Sequence, residues 1–186
     1  MLEFLNGLDK VLFLWINVSL SNPVTDIIMP VLTSDQLLRV MYGAGLACLL
    51  WFGDRRLRWL ALASAVTLLL TDQLSSNLLK GLIARLRPCH LLTSVHLLVD
   101  CGAGYSMPSS HAANLFGQAA LFYHHLPAVR RSLLLLAVLV AVSRIFVGVH
   151  YPFDVLAGVT LGGLVGGAVS LGFARVSRKW RQPAPR

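Results

Sequence analysis

Charge is scarce in this chain, and metal ligands are scarcer. Only 13% of the 186 residues are charged against 56% apolar, and the mean hydropathy is +0.69. Such a balance excludes an ordinary soluble domain and points to the membrane class. The eight acidic residues never gather into a cluster. Beside the polar stretches that interrupt the apolar runs stands only Asp154, with Asp72 and Asp100 more remote. A carboxylate-rich magnesium site is therefore excluded. No basic stretch precedes the first apolar run, where Glu3 and Asp9 stand instead, so no cleavable signal peptide is expected.

What is present is a series of apolar runs, at about 37–52, 57–79, 111–126, 132–150 and 154–174. Each approaches the roughly 20 residues that a helix needs to cross a bilayer. Upstream, Val11 to Leu20 and Val24 to Leu32 are apolar but parted by Ser21, Asn22 and the breaker Pro23. They read as one interrupted span, or as an interfacial helix followed by a short re-entrant piece. The expected fold is all-α, a polytopic membrane bundle of five to six transmembrane helices with an N-terminal interfacial or re-entrant segment. Residues 1–34 would form that first segment, 35–176 the core and 177–186 a basic cytoplasmic tail.

The formal net charge of +8 would suggest nucleic acid in a soluble protein. Here the cations sit at the ends of apolar runs, where lipid head groups and topology account for them. Arg55, Arg56 and Arg58, then Arg130 and Arg131, then Arg175, Arg178, Lys179, Arg181 and Arg186 fall in loops or ends that alternate along the bundle. They share one face, and the positive-inside rule makes it cytoplasmic. Three polar islands fall on the opposite, extracytoplasmic face of what is expected to be a multi-pass plasma (inner) membrane protein.

The first island holds Lys80 and Arg87-Pro88, where Pro88 forces Arg87 out of the helical basin. Taken alone it also fits snorkelling anchors. The second is Pro108-Ser109-Ser110-His111, with Pro108 suited to the first position of a helix. The free N–H groups of Ser109, Ser110 and His111 would then cradle an anion. His111 adds a proton donor near neutral pH. The third island runs from Ser143-Arg144 to His150 and Asp154. An arginine inside an apolar run is costly and usually functional. Asp154, four residues after His150, can fix the imidazole tautomer so that the other nitrogen is nucleophilic.

Together Lys80-x6-Arg87-Pro88, Pro108-Ser109-Ser110-His111 and Ser143-Arg144-x5-His150-x3-Asp154 resemble the three-part signature of the type-2 phosphatidic acid phosphatase superfamily. The resemblance covers about residues 70–160. It departs at Ser110, where the family usually carries glycine. The resemblance implies a membrane lipid phosphatase without metal or cofactor. His150 would be the nucleophile, Asp154 its partner, and His111 the acid that protonates the leaving oxygen. Lys80, Arg87, Ser109, the Ser110 N–H and Arg144 would hold the phosphate. The compact build resembles bacterial members and suggests a polyprenyl phosphate or diphosphate as substrate. Phosphatidylglycerophosphate, phosphatidic acid and lipid A phosphate are alternatives. A lipid phosphotransferase using the same intermediate is a rival reading, and a non-catalytic membrane scaffold is a rival of another class.

Other residues carry plainer expectations. Cys89 and Cys101 share the outer loop, where an oxidising compartment permits a disulfide, or they stay as two thiols. Cys48 reads as packing within the membrane. Gly158, Gly162 and Gly166 recur every four residues, which suits close helix packing inside the bundle or, less simply, self-association. Asp72 and Ser76, on the helix that leads to Lys80, are expected to bond between helices, to position Lys80 or to line the substrate cleft. His90 and His96 are expected on a loop surface. No nucleic acid partner is expected.

Overall fold

Asn22 does break the N-terminal stretch. Its side chain accepts from the N–H groups of Val24 and Thr25 at 3.0 and 3.2 Å and its own N–H is met by Thr25, a reciprocal cap that starts a new helix at Pro23. In the computed structural model, which describes residues 2–178, helix α1 (Leu2–Leu14) runs on as a π-helical turn at Trp15–Ser19. Helix α2 (Pro23–Leu32) then leaves at 114° to it. Val24, Ile27, Ile28 and Val31 stand exposed on one face of α2.

The remaining helices are α3 (Asp35–Trp51), α4 (Arg55–Asp72), α5 (Lys80–Ile83), α6 (Pro88–Leu91), α7 (Ser110–Phe122), α8 (Arg130–Phe146) and α9 (Pro152–Arg178). A π-helical stretch at Gln73–Leu79 joins α4 to α5. Ser34 and Asp54 cap α3 and α4. No strand occurs among the described residues, so the fold is the expected all-α membrane bundle. The stretch Arg55–Leu91 and α9 are long and apolar enough to cross a membrane, and the bent N-terminal pair qualifies if counted as one span. Helices α3 and α8, of 17 residues each, and α7, of 13, pack with them into the same bundle. Most of the expected tail, with Lys179, Arg181 and Arg186, lies outside the described residues.

Helix α7 is the centre of the bundle, packed on α4, α8 and α9. Its closest neighbour is α9, and the glycine repeat is the reason. A Cβ on Gly158, Gly162 or Gly166 would run into the backbone carbonyl of Ser109, Ala113 or Gly117 respectively. The glycine face is thus spent inside the bundle.

The N-terminal segment is built into this core. Asn17, in the π-helical turn after α1, is fully buried. Its side chain donates to the carbonyls of His96 and Phe146 at 2.8 and 2.7 Å and accepts from the His96 N–H at 2.8 Å. His96 also pairs with Asp26 at 3.0 Å, so it is a tie between the outer loop and α2, not a free surface residue. Cys48 departs from expectation in the other direction: it is exposed on the outside of α3. A disulfide joins Cys89 to Cys101.

Candidate active site

Backbone conformation sets the three islands. Ala84 takes a left-handed conformation (φ 50°) that ends α5 and turns the following arginines back toward the bundle. Arg87 is extended before Pro88, as the proline demands. After α8, Gly148 (φ 88°) turns the chain into Val149-His150-Tyr151. Pro152 then opens α9 with Asp154 in its first turn.

Asp154 is the hub. Its Oδ1 accepts from Arg85 Nη1 at 2.7 Å, its Oδ2 from the Tyr151 N–H at 2.8 Å, and its backbone carbonyl from the Ser109 N–H at 2.9 Å. His150 Nδ1 stands 3.7 Å from Asp154 Oδ2. That is ion-pair range and longer than the hydrogen bond expected from the spacing; the same oxygen accepts from the Tyr151 N–H. The facing edge of His150 is nevertheless Nδ1, which leaves Nε2 as the nitrogen turned away from the carboxylate. His150 is almost wholly buried. Burial first, and then the charges of Arg144, Arg87 and Lys80, hold it well below the usual imidazole range. It is a neutral imidazole among cations.

Those cations surround it from three elements. Arg87 donates to the carbonyls of Gly104 at 3.3 Å and Val149 at 3.5 Å, which fixes it above the His150 turn. Arg144 is buried near the end of α8 and donates through Nη1 to Thr33 Oγ1. Lys80 lies within electrostatic reach of both arginines. Like charges so close are unfavourable unless an anion joins them. Two polar atoms of the islands, Ser109 Oγ and Arg144 Nε, are buried without a hydrogen-bonding partner in the protein; His111 Nε2 and His150 Nδ1 make no hydrogen bond either, though each stands in ion-pair range of a carboxylate. Orphaned groups of this kind are rare in native folds and mark a place for a polar ligand.

The second island differs in detail from expectation. Helix α7 starts at Ser110 with Ser109 as its cap, so Pro108 stands one residue before the cap instead of opening the helix. The Ser109 N–H is used on Asp154, leaving the N–H groups of Ser110 and His111 in the first helical turn for an anion. Ser110 is helical, a conformation that needs no glycine. Its hydroxyl meets Ser76 Oγ at 2.9 Å, and Ser76 donates in turn to Asp72 at 3.4 Å. The bond between helices expected for Ser76 is therefore present, and Asp72 also lines the cleft beside His111. That cleft, of about 550 Å³, runs between α3, α4 and α7, with Leu38, Leu68, Leu69 and Leu115 as apolar walls and Asp35, Arg39 and Asp72 as charged ones.

A family model described as the PAP2 superfamily matches residues 59–178. The chain belongs to the PAP2 superfamily. It is 32% identical over 180 residues to a lipid A 4'-phosphatase of Bacteroides thetaiotaomicron, covering 89% of this chain and 77% of that protein. It is 41% identical over 96 residues to a decaprenylphosphoryl-5-phosphoribose phosphatase of Mycobacterium tuberculosis, covering half of each. Among solved structures it is similar to LpxE of Aquifex aeolicus, with a TM-score of 0.69 and 29% identity over 89% of this chain and 95% of that one. It is also similar to a transmembrane PAP2 type phosphatidylglycerolphosphate phosphatase of Bacillus subtilis, with a TM-score of 0.72 and 26% identity over 95% and 89%. As a PAP2 protein the chain is a membrane phosphatase acting on phosphoric esters.

This PAP2 site includes residues that the motifs do not contain. Arg85 bridges two carboxylates, Asp154 and Asp9, at 2.7 Å each, and lies over the Tyr151 ring at 4.2 Å. Asp9 also accepts from the Phe153 N–H at 2.9 Å. A signal existed in each case: Asp9 is an acid within an apolar helix, a costly placement, and Arg85 lies two residues before Arg87. Among the described residues, the one group of His, Cys and acid side chains close enough to share an ion is Cys89, His90 and Cys101, and its two sulfurs are bonded to each other.

Proposed function

We propose that the chain hydrolyses a membrane lipid phosphate at the extracytoplasmic face through a phosphohistidine on His150. The observation that carries this reading is a neutral, buried imidazole with one edge toward a fixed carboxylate and with three cations around it. His150 Nε2 attacks phosphorus as the bond to the lipid oxygen breaks, and His111 gives that oxygen its proton. His111 then takes a proton from water as the water attacks the phosphohistidine, releasing inorganic phosphate and restoring His150. Lys80, Arg87, Arg144, Ser109 and the N–H of Ser110 hold the phosphate oxygens and offset the charge that develops on them. Asp154 stabilises His150 as its charge rises, and Arg85 holds Asp154 in place. The arginine clusters near Arg55, Arg130 and Arg175 support a cytoplasmic position for the opposite end of the bundle.

The lipid we favour is a polyprenyl phosphate or diphosphate. Support comes from the match to the decaprenylphosphoryl-5-phosphoribose phosphatase and to an undecaprenyl-diphosphatase of Sulfolobus acidocaldarius, 39% identical over 84 residues. The Bacteroides relative favours a second reading, a lipid A phosphate, because its match extends over most of both chains. A phosphate-release panel on detergent-purified protein separates these readings, run with EDTA over polyprenyl phosphates, lipid A, phosphatidylglycerophosphate and phosphatidate. Release from a polyprenyl ester in EDTA supports the first reading, and a preference for lipid A the second. Activity that needs added magnesium argues against the metal-free mechanism.

A further inference from the structure

The acid of the proposed mechanism has a neighbour that the three islands do not contain. Asp35, in the first turn of α3, places Oδ1 3.0 Å from His111 Nε2. It lies outside residues 59–178, the part of the chain matched to the family. The approach is built from two sides. Helix α2 ends at Thr33, whose hydroxyl is held by Arg144, and Ser34 caps α3 by accepting from the Leu37 N–H at 3.4 Å. The turn between the two helices is thereby anchored to the phosphate cradle, and the next residue is Asp35. Its side chain is two-thirds exposed while that of His111 is one-fifth exposed, so the carboxylate reaches the buried ring from the open end of the cleft.

We infer that Asp35 is a positioning residue for the acid step, holding the His111 ring and steadying the imidazolium that protonates the leaving oxygen. The inference rests on the assignment of His111 as the acid. A carboxylate on one imidazole nitrogen fixes the tautomer and favours the charged ring. With Nε2 toward Asp35, Nδ1 is the nitrogen that gives its proton to the lipid oxygen and later takes one from water. The carboxylate oxygen lies off the axis of a ring N–H, since Nε2 makes no hydrogen bond by geometry. Such bonds commonly straighten when substrate is bound. Arg39, also on the cleft wall, makes no ion pair with Asp35 among the described residues. The carboxylate is therefore left for the histidine.

The test uses the full-length enzyme and two phosphate monoesters, phosphatidate and p-nitrophenyl phosphate. The alkoxide released from phosphatidate needs a proton, whereas nitrophenolate leaves without one. Asp35→Asn is expected to lower kcat on phosphatidate about tenfold, a fraction of the roughly 10²-fold or more expected for His111→Ala. KM on phosphatidate and the rate of the nitrophenolate burst from p-nitrophenyl phosphate, which reads phosphorylation before the water step, should stay within about twofold, and Asp35→Glu should restore most of the lost rate. A role confined to holding the fold would lower both substrates alike. Equal losses in the phosphatidate rate and the nitrophenolate burst, no loss, or a gain in rate from Asp35→Asn overturns the proposal. If His111→Ala slows the nitrophenolate burst as much as it slows phosphatidate, or the wild type turns over neither ester, the acid assignment falls and the proposal with it.

Discussion

Removing Asp9 should unsettle a site whose other residues lie far away in the chain. The side chain is fully buried and makes two contacts, with Arg85 Nη2 at 2.7 Å and with the Phe153 N–H at 2.9 Å. In Asp9→Ala the Phe153 N–H loses its acceptor, and Arg85 keeps only Asp154. Breaking a buried ion pair from one side costs about 3–5 kcal/mol. The lower end applies here, about 3 kcal/mol, because Arg85 is partly exposed and retains a second carboxylate. For a chain of this size each kcal/mol moves the midpoint by about 2–4 °C, so thermal unfolding in detergent should come about 6–12 °C earlier. Intrinsic tryptophan fluorescence reads it. Asp9→Asn keeps an acceptor for Phe153 and should lose less, and Glu3→Ala, at an exposed position of the same helix, should change nothing. Turnover should fall with the midpoint, since Arg85 is what orients Asp154. A midpoint for Asp9→Ala within about 2 °C of wild type would refute the bridging role.

Three further outcomes are expected. Arg144→Lys should lose most of its phosphatase activity, at least about tenfold, because an ammonium cannot donate to Thr33 and to phosphate in the fork geometry of a guanidinium; initial rates of phosphate release check it. Gly162→Ala should destabilise by about 1–3 kcal/mol, since its Cβ meets the Ala113 carbonyl of α7, read as an earlier unfolding midpoint. Because His150 is held well below the usual imidazole range, it stays neutral in the folded protein as the pH falls through about 6.5. The phosphorylation burst with p-nitrophenyl phosphate should therefore be flat from about pH 7.5 to 6. Over the same window the unfolded chain takes up a proton at this residue, so its contribution to stability declines toward acid.

How far the residues announce this site depends on the distance over which each one acts. Arg144, His150 and Asp154 are legible because one helix end and one turn hold them, and a costly charge in an apolar run stands out. The start of α9 and its glycine face were legible for the same reason: period and punctuation are local. Arg85 was not, because Arg85 and Arg87 share one short segment and only the left-handed turn at Ala84 decides which of them meets Asp154. Asp9 and Asp35 were not, because each reaches the site from an element far away in sequence: Asp9 is 76 positions from Arg85. Asn17 was missed because a π-helical turn, which no hydrophobic period reveals, is what aims it at the His96 loop. Pro108 was placed two positions too far into α7 because a proline before a cap and a proline after it look alike in sequence.

The most direct test of the account is to trap the intermediate. Purified protein given a 32P-labelled lipid phosphate and quenched within the first turnover should carry label that is stable in base and lost in acid, as a phosphohistidine is. Peptide mapping should place the label on His150. His150→Ala should carry none, while His111→Ala given labelled p-nitrophenyl phosphate should still label. Label on another residue, or full turnover by His150→Ala, would contradict the account.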